Sequence, residues 1–275
     1  MNVKVFYLLA SLSLIACGGS SEPSDNNKAV PLQPPVIKSV DASDGKVSLE
    51  WQHPNNAVSF DVYISFDEGF DFRNYASYSN SEWLRGVTSP FTFKPKNIKQ
   101  PIFLRVVAIS NDQEVSSEVF MTIARFQASD NQVIDLHTNV TWARCSAGME
   151  WSSDLQTCVG EALALSFNEA EQYARSFNTN ARVPSLSELA EIVFCSSGNP
   201  QYFLNENSAS CIGENDAPTI FYEAFPATQS RAYHTSTLWK HDGGAFYHSV
   251  FFNNGSFGSI FGREPTGKSL RLILE

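Results

Sequence analysis

The C-terminal half of the chain opens with the stretch VIDLHTNVTWARC, Val133–Cys145. Val140 and Trp142 alternate with polar residues, which is typical of a β-strand that buries one face. The strand leads into Cys145, and Cys158 follows thirteen positions later. The stretch therefore predicts a strand that enters a cysteine-bounded loop, and the role of the cysteines depends on the compartment.

The N-terminus indicates that compartment. Lys4 is the only charge before an apolar run that ends at Ala16, and this run is shorter than the about 20 residues of a membrane-spanning helix. It is typical of a secretory signal peptide, predicted over residues 1–16. The run ends in Leu14-Ile15-Ala16-Cys17, which resembles the lipobox of bacterial lipoproteins. The resemblance implies that Cys17 is acylated; the alternative is an ordinary signal peptide with an incidental cysteine.

The residues after Cys17 predict a tether and an outer-membrane location. Gly18 stands where an Asp would favour retention in the inner membrane, so we expect lipid anchoring to the outer membrane, facing either the periplasm or the surface. Residues 17–33 are rich in Ser, Asn and Pro and nearly free of apolar side chains. Such a segment buries too little surface to fold, and we interpret it as a flexible tether.

Four cysteines remain after Cys17, and an even number in an exported chain implies disulfides. Three pairings are open, and proximity favours Cys145–Cys158 and Cys195–Cys211. Each would close a loop of about 15 residues, worth about 3 kcal/mol in the chain-entropy description. Zinc ligation and a reactive thiol are the alternatives, but the Cys-x-x-Cys spacing of zinc sites is missing.

The composition limits the classes of ligand. Hydrophobic residues make up 43% of the chain and charged residues 17%, with a net charge of −10. From Asp130 onward there are eight Lys or Arg against sixteen Asp or Glu. This acidic balance argues against nucleic acid and against polyanions held by general electrostatics. We also expect no cofactor, since the sequence contains no phosphate loop or catalytic motif.

Residues 34–127 predict an all-β sandwich. Val47, Leu49 and Trp51 alternate with polar residues, and several further short strands follow between turn signals. Together with Leu104-x-Val106-x-Ala108, this pattern resembles a fibronectin type III (immunoglobulin-like) module, in which Trp51 would be a core residue. The family's usual tyrosine falls on Ile102 here. The further predicted strands are Asp61–Ser65, Phe91–Phe93, Ile102–Ser110 and Val119–Ile123.

Residues 128–275 predict an α+β domain. Ser166 with Glu169 and Ser185 with Glu188 have the spacing of capping boxes and predict two helices. Asn254-Gly255 is a hairpin signal between two strands. The predicted strands are Tyr233–Trp239, Ala245–Phe252, Ser256–Phe261 and Leu270–Leu274.

The order of motifs in this second domain resembles the domain of unknown function at the C-terminus of the Legionella collagen-like adhesin. The resemblance covers essentially all of residues 128–275 and implies a C-type-lectin-like fold with a binding function. In the adhesin the domain binds sulfated glycosaminoglycans, whereas this domain is acidic, so we carry over binding as a class and not the ligand. The motifs are Asp135-x-x-Thr138-x-Val140-x-Trp142, Arg182-Val183-Pro184 with Glu188-Leu189, Phe225-Pro226, Tyr233-His234-Thr235-Ser236-Thr237, Asn254-Gly255-Ser256 and Leu270-Arg271-Leu272. Five of these residues are predicted to be structural: Trp142, Arg182, Pro184, Glu188 and Arg271.

The candidate ligand-binding residues lie in the loop TLWKHDGGAFYH. An exposed Trp239 would stack on a sugar ring; the alternative is a hairpin tip whose Trp packs back on the sheet. Histidines at seven-residue spacing do not converge on strands, so no metal site is predicted. Oxygens from Asp242 and the neighbouring asparagines are a weaker calcium hypothesis. The candidate set is Trp239, Lys240, His241, Asp242 and Arg263.

The sequence therefore predicts a non-catalytic, membrane-anchored lipoprotein for adhesion or for recognition of a glycan or protein. One alternative is a structural subunit of a cell-envelope assembly, in which exposed aromatic residues form a protein interface and the chain oligomerises. A less favoured alternative is a modifying enzyme on a lectin-like fold.

Overall fold

The computed structural model describes residues 31–43, 45–53, 57–111, 113–241, 244–258 and 267–275. The predicted signal peptide, Cys17 and most of the predicted tether lie outside these ranges. Residues 32–275 form one compact unit that is mostly β, with several antiparallel sheets. At the end of the predicted tether, Leu32 is buried, and its backbone N–H donates to Oε1 of Gln113 over 2.9 Å.

The N-terminal half contains two antiparallel sheets. One sheet has the strand order β1-β2-β5, and the other has the order β4-β3-β6-β7, with β8 also paired to β6. Its elements are β1 (Val36–Ser43), β2 (Lys46–Gln52), β3 (Ser59–Ser65), a 3₁₀ helix (Phe72–Ser77), β4 (Glu82–Leu84), β5 (Phe91–Phe93), β6 (Ile102–Ile109), β7 (Glu114–Ser116) and β8 (Phe120–Thr122).

The core of this half lies between the two sheets, as in a β-sandwich. Val47, Leu49 and Trp51 of β2 are buried, and the residues between them are at least partly exposed, so the predicted alternation is confirmed. They pack in one cluster with side chains of the facing sheet, including Val62 and Ile64 of β3. The predicted strands appear within one or two residues of their expected bounds. One of the turn signals between these strands, Pro54-Asn55-Asn56, lies outside the described residues.

Within the described residues, the C-terminal half combines three small antiparallel sheets with two helices. Its sheets have the orders β14-β18-β11-β10-β9, β12-β13 and β15-β16-β17. Its elements are β9 (Phe126–Ala128), β10 (Gln132–Asp135), β11 (Val140–Ala143), β12 (Met149–Ser152), β13 (Thr157–Gly160), α1 (Phe167–Phe177), β14 (Ala181–Arg182), α2 (Leu186–Glu191), β15 (Ala232–His241), β16 (Gly244–Phe251), β17 (Ser256–Gly258) and β18 (Ile273–Leu274).

The hairpin β10–β11 explains the motif at the start of this half. Val133 pairs with Trp142, and Trp142 is only 1% exposed in the core, as expected of a structural residue. The carboxylate of Asp135 accepts hydrogen bonds from the backbone N–H of His137 (3.0 Å) and the hydroxyl of Thr138 (2.9 Å). Asp-x-x-Thr is therefore the spacing that closes this turn by side-chain bonds to the backbone and to a neighbouring hydroxyl.

Both predicted capping boxes are confirmed. Ser166 begins α1 and Ser185 begins α2, and in each case the serine and the glutamate three residues later bond reciprocally. The second helix is only six residues long, but its residues Leu186, Leu189 and Ala190 are buried. A short helix is stable here because tertiary packing rather than helix propensity supplies most of its stability.

Three strands differ from their predicted bounds. The last strand covers only Ile273–Leu274; before it, the backbone oxygens of Leu270 and Leu272 accept from the N–H groups of Ala147 and Ala143. β17 ends at Gly258, and the rest of the predicted strand lies outside the described residues. β15 extends beyond its predicted end to His241. The hairpin signal is confirmed, since Gly255 has a φ of +71° between the paired strands β16 and β17.

The two halves meet in a segment that belongs to both cores. Ala124 is buried in the cluster of the N-terminal half, whereas Ile123 and Phe126 are buried in the cluster of the C-terminal half. A second contact joins Phe103 of β6 and Tyr202, whose ring centroids are 6.5 Å apart. The predicted boundary at residue 127 falls inside β9, so the chain passes between the halves without a loose linker.

Candidate binding sites

The predicted ligand loop is only partly described. Trp239 lies on β15, but Asp242 and Arg263 lie outside the described residues, as do the side chains of Lys240 and His241. Trp239 is half-buried, with its ring 6.5 Å from Phe246 and 6.4 Å from His248. The indole is thus in contact with its own hairpin, which is the alternative that the sequence left open. The ligand site formed by these five residues stays a prediction.

The three histidines of that region lie on the hairpin β15–β16. His234 is 4% exposed, and its Nε2 is 2.7 Å from the backbone oxygen of Leu165. Burial lowers the pKa of His234 to about 4, which keeps the ring neutral near pH 7. Within the described ranges, no group of three His, Cys, Asp or Glu residues has the arrangement of a metal site.

Arg182, Glu188 and Glu275 form an ion-pair network at the start of α2. Arg182 donates two hydrogen bonds to Glu188, at 2.6 and 2.9 Å, and a third to Glu275 at 2.6 Å. The bonds from Arg182 lower the pKa of Glu188 to about 2. The same glutamate completes the capping box of Ser185, so the ion pair links β14 to the start of α2. Nearby, the carbonyl of Pro184 accepts from the backbone N–H of Ser236 over 2.7 Å.

Arg271 explains why several distant motifs occur together. Its side chain is fully buried and donates to the backbone oxygens of Ala143 (2.9 Å) and Arg144, and to the hydroxyl of Thr228 (2.7 Å). The guanidinium also lies 4.8 Å from the ring centroid of Phe225. Arg271 therefore joins the end of β11 to Thr228, in the segment after Phe225-Pro226.

The two predicted disulfides are present. Cys145 is bonded to Cys158 and Cys195 to Cys211, with Cα–Cα distances of 5.6 and 5.4 Å. The first disulfide joins the end of β11 to β13 and thereby holds the hairpin β12–β13 against the sheet. Disulfides are typical of exported proteins.

A groove lies beside the first disulfide, and among the predicted site residues that the structure describes only Cys145 lines it. Its volume is about 400 Å³, which is within the range of small-molecule sites. We call it the hairpin groove. Its lining residues are Asp130, Asn131, Ala143, Cys145, Ser146, Ala147, Met149, Glu150, Trp151, Tyr173, Phe177 and Leu272.

Aromatic side chains of the hairpin groove are held in place by their neighbours. The guanidinium of Arg144 lies 3.5 Å from the ring centroid of Trp151 and covers one face of the indole. The phenol oxygen of Tyr173 accepts a hydrogen bond from the backbone N–H of Gly148 over 3.1 Å. Phe177 stacks on Tyr173 at 6.1 Å and is 50% exposed. The groove therefore presents aromatic surface whose orientation is fixed before a ligand arrives.

The electrostatics of the hairpin groove disfavour an anionic ligand. Asp130 and Glu150 are exposed on its rim, and its lining contains no Lys, Arg or His. Burial lowers the pKa of Arg144, and the nearby Asp130 acts in the opposite direction and favours the charged form. The Arg144 guanidinium covers Trp151 and donates to the backbone oxygens of Ser129 (3.2 Å) and Glu223 (3.5 Å), and Arg144 does not line the groove.

A second cavity, of about 480 Å³, lies where the two halves meet. Arg125, which is 1% exposed, donates to Asp135 at 2.9 and 2.6 Å and to Glu191 at 3.3 Å. Burial and the charge of Arg125 lower the pKa of His137 on the same wall. Because Asp135 and Glu191 already neutralise Arg125, this cavity has the character of a structural junction.

One feature of the sequence points to the hairpin groove. Trp151 stands in the mostly polar loop between Cys145 and Cys158, where a tryptophan has no partner in the strand pattern. Tyr173 and Phe177 are four residues apart on α1 and therefore share a helix face. Their meeting with Trp151 depends on how α1 packs against the disulfide hairpin, and a one-dimensional pattern does not contain that distance.

Comparisons with known proteins give no relative. A scan against protein-family models finds no match, and a search of curated proteins finds no significant similarity. None of the helices in the described ranges has the length and apolar character that crossing a bilayer requires.

Proposed function

We propose that the protein is a bacterial outer-membrane lipoprotein that serves adhesion or recognition, and that its C-terminal half carries the binding site. The observation that carries this proposal is the hairpin groove, an aromatic-lined concave surface fixed by a disulfide. Grooves with orienting polar groups and apolar lining are the usual form of binding sites. The two disulfides support export, and the lipobox-like Leu14–Cys17 supports the anchor.

The proposal also assigns each half of the chain to a known type of fold. We propose that the N-terminal half is a fibronectin type III-like module and that the C-terminal half is lectin-like, similar to the C-terminal domain of the collagen-like adhesin. The sandwich would hold the binding half at a fixed orientation, because Ala124 and Phe126 anchor the connecting segment in both cores. Rigid presentation is useful in an adhesin because it lowers the conformational entropy lost on binding.

The test separates anchoring from binding. Cys17→Ser should move the protein from the membrane fraction to the soluble fraction or block its processing. Trp151→Ala should leave the protein in the membrane and abolish attachment of the cells to a host-matrix or glycan-coated surface. A Cys17→Ser protein that stays in the membrane contradicts the anchor. A Trp151→Ala strain that attaches normally contradicts the binding half.

A structural subunit is the second candidate, and one observation favours it. An apolar cavity of about 310 Å³ lies at the edge of the sandwich, lined in part by Val36, Ile37 and Phe120. Val36 is 52% and Phe120 is 39% exposed, which is typical of a surface that another protein covers. Val36→Ser with Phe120→Ser would shift the protein from a crosslinked envelope complex to a free form if this candidate holds, and leave the crosslinking pattern unchanged if it does not.

A further inference from the structure

The hairpin groove has features that define the chemistry of its ligand, and this inference rests on the proposed function. The feature to explain is a tryptophan with a cation on one face and two carboxylates on the rim. Trp151 lies against Arg144 at 3.5 Å, and Asp130 and Glu150 are the charged residues of the lining. Three ligand classes compete: an anion, an organic cation and an uncharged polar molecule.

An anionic ligand is disfavoured by charge. A sulfate or carboxylate needs converging guanidinium or ammonium donors, because such groups pair with it through two hydrogen bonds. The lining offers none, and it places Asp130 and Glu150 where an anion would be repelled. Lys268, a basic residue of the C-terminal half, is only 9% exposed and does not line this groove.

An organic cation is disfavoured by the guanidinium behind the indole. Cations bind aromatic rings through the negative quadrupole of the ring face. The Arg144 guanidinium already occupies that interaction with Trp151, and a second cation near the same ring would meet its charge. The carboxylate of Asp130 lies close enough to favour the charged form of Arg144, so part of the rim charge is balanced inside the protein.

An uncharged, polyhydroxylated ring satisfies every feature of the groove. Its apolar face stacks on an aromatic plane by dispersion and burial of apolar surface, which needs no charge. Its hydroxyls donate to carboxylates, and such charge-assisted bonds are stronger than neutral ones. Asn131, beside Asp130 in the lining, offers both an amide donor and an amide acceptor.

We propose that the hairpin groove binds an uncharged pyranose sugar, with its ring stacked on Trp151 and Phe177 and its hydroxyls bonded to Asp130 and Asn131. The volume of about 400 Å³ makes one or two sugar residues the bound unit. Tyr173 supports the stack from the helix and fixes the distance between Phe177 and the hairpin through its bond with Gly148.

The test is a titration of the mature protein, followed by intrinsic tryptophan fluorescence and by calorimetry. The probes are cellobiose, N,N′-diacetylchitobiose, mannobiose and lactose, with choline chloride and a heparin disaccharide as charged probes. We expect at least one uncharged disaccharide to bind and both charged probes to fail at physiological salt. Trp151→Ala should weaken binding more than 10-fold, and Phe177→Ala, an exposed site with little risk to folding, about 3- to 10-fold.

Two control variants locate the site. Leu155→Ala lies at the tip of the same hairpin and is 67% exposed, and Trp239→Ala lies in the loop predicted from sequence. Both should bind the disaccharide as the unmodified protein does. Binding of choline or of the heparin disaccharide in place of the sugars overturns the proposal, as does loss of sugar binding in Trp239→Ala alone.

The outcome also separates this inference from the proposed function. Cells whose attachment requires Trp151 while none of the four sugars binds would retain the adhesin and reject the sugar. Sugar binding that requires Trp151 while attachment does not would retain the sugar site and reject the adhesin.

Discussion

The N-terminal half keeps its core between two facing sheets, whereas the C-terminal half collects its core from several sheets, helices and the loops between them. The disulfides of the described residues both lie in the C-terminal half. The same half contains Arg271, which is fully buried among backbone oxygens, and Asp135 of the buried ion pair. The difference indicates that regular backbone pairing stabilises one half, and a few covalent and charged links stabilise the other.

The largest effect should come from breaking the buried ion pair at the junction. Arg125→Ala leaves Asp135, which is 0% exposed, without its main partner, and losing one member of such a pair costs about 3–5 kcal/mol. The sandwich offers a matched control in Lys96, whose exposed side chain lies 3.3 Å from Glu82. Lys96→Ala should cost less than about 1 kcal/mol.

Urea denaturation of both variants measures these costs. Equal losses in the two variants would mean that the buried pair is no more important than a surface pair. Charged links would then not distinguish the stability of the C-terminal half from that of the sandwich.

The second disulfide should matter nearly as much. Replacing Cys195 and Cys211 together with alanine opens a loop that spans a sequence separation of 16, at a cost of about 3 kcal/mol. Amide hydrogen exchange should show lost protection in β15 and β16, while β3 and β6 keep theirs. Uniform loss of protection across both sheets would break the comparison, because the halves would then unfold as one unit.

The third effect is a pH dependence confined to the C-terminal half. The folded pKa of His234 is about 4, below the ordinary value of 6.5, so the unfolded chain binds the proton more readily. Stability should therefore be complete above about pH 6.5 and fall as the pH drops toward 4, by about 3 kcal/mol at most. Glu188, with a folded pKa of about 2, adds a further loss below about pH 4.5.

The matched variant for this pH effect is His234→Gln, which keeps a polar group but does not titrate. Its free energy of unfolding should change little between pH 7 and 5, whereas that of the unmodified protein declines. If the two proteins decline in parallel over this window, His234 is not the residue responsible.

The same contrast governs what the sequence could predict. In the sandwich, the alternation of Val47, Leu49 and Trp51 identified the buried face of β2, since a strand's side-chain period is two and needs no knowledge of the partner. The capping boxes of Ser166 and Ser185 were equally local, and so was the spacing of the cysteines. All of these signals lie within about twenty residues of chain.

The arginine interactions that hold the C-terminal half are long-range, and their partners were missed for that reason. Arg125 reaches Glu191 across 66 positions, and Arg271 reaches Ala143 across 128. No periodicity marks an arginine that bonds a carbonyl so far away. The hairpin groove has the same origin, because Trp151 and Phe177 come from a hairpin and a helix that are joined only by tertiary packing.

Chemical-shift mapping is the most direct test of whether the ligand binds in the hairpin groove, because the same spectrum also reports on the Trp239 loop. The isotope-labelled protein is titrated with the uncharged disaccharide that gives the largest fluorescence response. A sugar site in the hairpin groove predicts shifts clustered at the amides of β12 and the C-terminal half of α1, and at the indole N–H of Trp151. Shifts clustered instead around Trp239 and the hairpin β15–β16, with the Trp151 indole unmoved, would contradict it.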